Sequence, residues 1–222
     1  MKHYIFILLL IFLHNCNQKF KNYRYNPFQF PYKEYYYKAK EVEIKSKNIT
    51  EGEKFSFDKF YFILKNGFVD TMTFSSNIYH FYKNGKKIFI ISKRVDDKMG
   101  CSDSLSRALN KDFCSSANSM KEFYLKLFTL TPESLNKKEF AGIGNQWIVH
   151  QKGAFFEQIS PPLTMYNNDS YIAFRQNFRK TDRIYCEILI FHNSMESNYF
   201  ALGFAVNDEE LINAILTTIQ KS

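Results

Sequence analysis

The chain has 222 residues, 45% of them hydrophobic, which is enough for a buried core and too much for wholesale disorder. Of its formal charge of +8, a net +5 falls in residues 19–40, where Lys19, Lys21, Arg24, Lys33, Lys38 and Lys40 face only Glu34. Residues 41–222 carry 23 cations and 21 anions, a balance too even for the many phosphate contacts of nucleic-acid binding, so no nucleic-acid partner is expected. The 24 Phe and 15 Tyr fit either an aromatic binding surface or the codon bias of an AT-rich genome.

The chain opens MKHYIFILLLIFLHNC. Lys2 gives a positive start, and Ile5 to Leu13 are nine apolar residues without a break. That run has the length of a secretory h-region and falls short of the roughly 20 residues that a helix needs to cross a bilayer. Residues 1–15 are therefore expected to act as a signal peptide. Leu13 stands three positions before Cys16, and here the sequence resembles a bacterial lipoprotein signal. His14 and Asn15 replace the usual small residues, which brings the match closer to the permissive lipoboxes of spirochaetal lipoproteins. The resemblance implies lipidation of Cys16 and an envelope lipoprotein held at a membrane, in either leaflet.

Residues 16–41 follow as a lipid-anchored basic aromatic tether. Nine aromatics and two prolines, Pro27 and Pro31, lie among its lysines. Tyr rings suit the headgroup layer and Lys suits anionic lipid, so the segment either contacts the membrane surface or packs its rings on the domain.

Residues 42–222 are expected to form one domain. KFSFDKFYFIL alternates Phe55, Phe57, Phe60 and Phe62 as a strand does, with an irregularity at Asp58-Lys59. Asn84-Gly85 predicts a two-residue turn between strands near 78–83 and 86–92. Ser119 and Glu122 form a capping box for a helix that lines up Met120, Phe123, Tyr124, Leu127 and Phe128. Thr131-Pro132-Glu133 reads as a second, shorter helix start. Strands are then expected near 145–151, 154–159, 171–178 and 183–192, with Pro161-Pro162 as a break. A strand at 199–206 leads to a last helix capped by Asn207, with Glu210 completing the box and Leu211, Ile212, Ile215, Leu216 and Ile219 on its buried stripe.

This order predicts an α+β fold, an antiparallel β-sheet covered by helices. The early hairpin, central helix, strand meander and closing YFALGFAVNDEELINAILTTI also resemble the PsbP-like sandwich over residues 50–222. That resemblance implies a binding or assembly role.

Chemistry-bearing residues are sparse. Cys101 and Cys114 enclose twelve residues and read as a disulfide in an oxidising compartment, or else as two thiols. Cys186, inside RIYCEILIFH, reads as a small core residue. His80, His150 and His192 lie far apart in sequence, so no metal site is expected. Ser102-Asp103-Ser104 lacks a glycine elbow, and Gly142-Ile143-Gly144 is too short for a phosphate cradle, so no catalytic residue and no cofactor are assigned. The expectation is a non-enzymatic binding or interaction module with a protein partner. A secreted hydrolase with a site built from scattered residues, or an immunity-type inhibitor of an envelope toxin, are the alternatives.

Overall fold

The computed structural model describes residues 39–47, 51–95, 117, 119–129, 148, 152, 159–178, 184–195 and 198–222. The strands are β1 (Lys40–Glu43), β2 (Glu53–Phe57), β3 (Phe60–Leu64), β4 (Thr71–Ser75), β5 (Ile78–Lys83) and β6 (Lys86–Val95). After helix α1 (Met120–Thr129) come β7 (Ile159–Asn168), β8 (Tyr171–Phe178), β9 (Cys186–His192) and β10 (Asn198–Phe204). Helix α2 (Glu209–Thr218) and the short β11 (Gln220–Lys221) close the chain.

Eight strands form one sheet in the order β1-β7-β8-β9-β10-β6-β5-β4, and β11-β3-β2 form a second. All pairings in the large sheet are antiparallel except β1 with β7, which is parallel. The expected helix-covered α+β sheet is thus corrected to a mostly β architecture built on a mixed sheet, on which α1 and α2 pack. The physical reason lies in the Phe-rich segment. Phe55, Phe57, Phe60, Phe62 and Leu64 all turn to one side of the β2–β3 hairpin, so that hairpin supplies an apolar layer of its own. Asp58-Lys59 is the turn between these strands rather than an irregularity within one, with Asp58 at φ 50° and Phe57 paired to Phe60.

The small sheet and α2 cover one face of the large sheet, and α1 packs on the other. Phe57 and Phe60 meet Phe200 of β10 edge to face, both at 5.0 Å between centroids. Each such fully buried ring contributes about 1.5–3 kcal/mol of transfer free energy. Thr218 Oγ1 accepts from Ile63 N–H and ties α2 to β3 at 3.0 Å.

Several local expectations hold, and others shift. Asn84 (φ 50°) and Gly85 (φ 70°) make the β5–β6 turn, since both sites need a residue tolerant of positive φ. Ser119 Oγ accepts from Glu122 N–H at 3.1 Å at the start of α1. Leu211, Ile212, Ile215 and Leu216 form the buried stripe of α2. Its cap is Asp208, which accepts from Leu211 N–H at 3.0 Å, one residue later than Asn207. Glu210 therefore points outward to Lys65 instead of completing a box.

Pro161-Pro162 lies inside β7 rather than ending a strand. The β7–β8 register shifts between Ser160 and Thr164, where two residues without an N–H cannot sustain the ladder. Ile148, placed by its sequence in a strand, is helical.

Candidate functional site

The two faces of the large sheet each carry a polar centre in an apolar surrounding. On the face covered by α2, Arg175 of β8 is buried to 6% exposure. Its Nη1 and Nη2 donate to Glu209 at 2.7 and 2.5 Å, Nε donates to Asn177 Oδ1 at 3.0 Å, and Nη1 also reaches Tyr166 Oη. The strand places Arg175 there because Ala173 and Arg175 alternate with Phe174 and Gln176, which face α1. Cys186 lies in the same interior, and burial pushes its thiol up to about 11, so it is a protonated packing residue at neutral pH. Its sequence reading as a small core residue holds.

On the opposite face, Glu187 of β9 accepts from Gln176 Nε2 at 2.5 Å and from Arg94 at 2.7 Å. Tyr124 of α1 stands beside this group, and burial first, then the Glu187 charge, pushes its phenol well above the ordinary range. Gln176 Oε1 has no hydrogen-bond partner among the described residues. Both centres join elements: Arg175 ties α2 to the sheet, and Glu187 ties β9 to β8 and β6.

His80 and His192 do not converge. His80 pairs with Ile90 and thereby shares the Glu187 side, whereas His192 pairs with Tyr171 on the Arg175 side. His192 packs edge to face on Phe60 at 4.9 Å, and its Nδ1 accepts from Ser194 N–H at 3.1 Å. Among the described residues no group of three or more His, Cys, Asp or Glu could hold a metal. Cys16, Cys101, Cys114, His150, Ser102-Asp103-Ser104 and Gly142-Ile143-Gly144 lie outside the described residues. Asn168, which begins a sequon-like triplet, uses its carboxamide to bond Ile44 O and Ser170 N and so shapes the β7–β8 turn.

The feature that the sequence reading missed is β4. All five of its residues, Thr71 to Ser75, are exposed, with Met72 at 39% and Phe74 at 59%. It ends the large sheet, and no strand of the described residues pairs with its outer side. The other edge of that sheet, β1, carries Lys40, Glu41 and Glu43, and the edge strand β2 of the small sheet carries Glu53 and Lys54. Charges of this kind guard an edge against pairing with another chain, and β4 has none.

The hydrogen-bonding phase of β4 follows from its turn. Ser76 (φ 49°) and Asn77 (φ 62°) form a two-residue turn, whose closing pair is Ser75 with Ile78. Alternation then sends the backbone groups of Ser75, Thr73 and Thr71 toward β5, and those of Met72 and Phe74 outward. At the far end the Tyr82 carbonyl, opposite Thr71, accepts from Asp70 N–H at 2.8 Å, so it faces β4 as this phase requires. The outer edge therefore presents two N–H and two C=O groups beside an exposed Met and Phe. A turn of Ser-Asn between alternating segments was the available signal.

No helix among the described residues is long and apolar enough to cross a membrane. No family model, curated protein or solved structure matches the chain.

Proposed function

We propose that this chain is a non-catalytic interaction module of the bacterial cell envelope, anchored through Cys16 and the basic aromatic segment after it, and that it binds protein along β4. The observation that carries this reading is the exposed, uncharged β4 with outward-facing groups at Met72 and Phe74. An edge of this kind accepts an extended segment by strand addition, in which main-chain hydrogen bonds give affinity and alternate side chains give selectivity. The buried Arg175 and the half-buried Glu187 support the same reading, because both serve to join elements of the fold.

Amide hydrogen exchange on the full-length protein tests this. In native membranes the amides of Met72 and Phe74 should exchange more slowly than in the purified protein at high dilution, while Gly85 should not change. Equal rates at Met72 and Phe74 in both settings would overturn the reading of β4 as a contact edge.

A further inference from the structure

Resting on the reading of β4 as a contact edge, we propose that its occupant is the β4 of a second copy of this chain, paired antiparallel about a two-fold axis at Thr73. The register is fixed by the outward backbone groups of β4. The outward backbone groups belong to Met72 and Phe74, and a two-fold through Thr73 sets Met72 against Phe74 of the other copy, and Phe74 against its Met72. Both are then hydrogen-bonded pairs, and all four outward groups of each strand are used. An axis through Met72 would instead set Phe74 against Asp70, whose N–H is already donated to Tyr82 O.

The side chains obey the same symmetry. Reading TMTFS from either end gives polar, apolar, polar, apolar, polar. Met72 and Phe74 share one side of the sheet with Tyr79 and Phe81, and in the pair they meet Phe74 and Met72 of the other copy on that side. Thr71 faces Ser75 on the reverse side. The segment has no charge to oppose its own image. A five-residue edge offers less area than a stable interface, so the association is weak and concentration-dependent.

At the axis, Thr73 meets itself in a non-hydrogen-bonded pair, where Cα atoms stand about 4.5 Å apart and a disulfide can close. The test is mild oxidation of full-length Thr73→Cys, compared with Thr71→Cys, Ser75→Cys and the unsubstituted chain. All the substituted sites are exposed, so the fold tolerates them. Thr73→Cys should double in apparent mass under non-reducing conditions, and the other three should not. Adding Met72→Lys with Phe74→Lys should abolish the doubling by like-charge repulsion, and Met72→Lys with Phe74→Glu should restore it. Doubling at Thr71→Cys equal to that at Thr73→Cys overturns the register, and no doubling at Thr73→Cys overturns the second copy. If membrane-dependent protection of the Met72 and Phe74 amides persists without doubling, the copy falls and the contact edge stands. If both signals are absent, both readings fall.

Discussion

Arg175 and Glu209 meet side to side, two guanidinium nitrogens on two carboxylate oxygens at 2.7 and 2.5 Å. The arginine side chain is 7% exposed and the glutamate 57%, so the pair links the sheet interior to the surface end of α2. Glu209→Gln leaves the buried guanidinium without its anion and should cost about 1–3 kcal/mol in urea unfolding. Glu210→Gln breaks only the exposed pair with Lys65 and should cost under about 1 kcal/mol. Equal costs would show that the Arg175 pair is no more than a surface contact.

Acid should weaken the fold in two stages. Burial lowers the pKa of His192 and His80 from 6.5, with Lys221 and Lys87 adding to the effect. The hydrogen bond from Arg175 holds Glu209 below 4.5 against opposing desolvation. Each folded value is depressed, so each contribution is present above the unfolded value and is lost as pH falls through the folded one. The melting temperature should drop first below about pH 6.5 and again below about pH 4.5. His192→Gln should reduce the first drop and Glu209→Gln the second, read by calorimetry across that range.

Lys152 gives the alkaline counterpart. It is completely buried, and desolvation pushes its ammonium down to about 7 from 10.5. Between those values the unfolded chain binds more protons than the folded one, so stability rises with pH. Lys152→Met should flatten this rise between about pH 7 and 10, as measured by urea midpoints. An unchanged slope would mean that Lys152 stays charged inside the fold.

The anchor has its own test. Cys16→Ser should abolish incorporation of labelled fatty acid and release the protein from membranes. Equal labelling in the variant would remove lipidation at Cys16 from the account.

The sequence was most legible where a local rule has a single solution. Asn84-Gly85 demands positive φ twice, and the Leu211 to Leu216 spacing leaves one face for α2 to bury. It was least legible where tertiary context decides. Met72 and Phe74 of β4 alternate with polar residues, but over five positions that pattern does not tell an exposed edge strand from a half-buried one, and β7 runs across two prolines that ordinarily end a strand. The fold class went wrong for a related reason. Alternating phenylalanines specify a half-buried strand, but not whether that strand joins the main sheet or lies across it as a second layer. The candidate site was invisible in the same way, because being an edge is a property of the sheet order and not of the five residues.

The most direct test of β4 as the working surface is a photo-crosslinking scan in living cells, with a photoreactive side chain placed in turn at each position from Thr71 to Ser75 and at Lys86 as a control. Discrete protein adducts are expected from β4 positions, lost when Met72 and Phe74 are both replaced by Lys, and none from Lys86. Adducts absent throughout β4, or equally strong from Lys86, would contradict it.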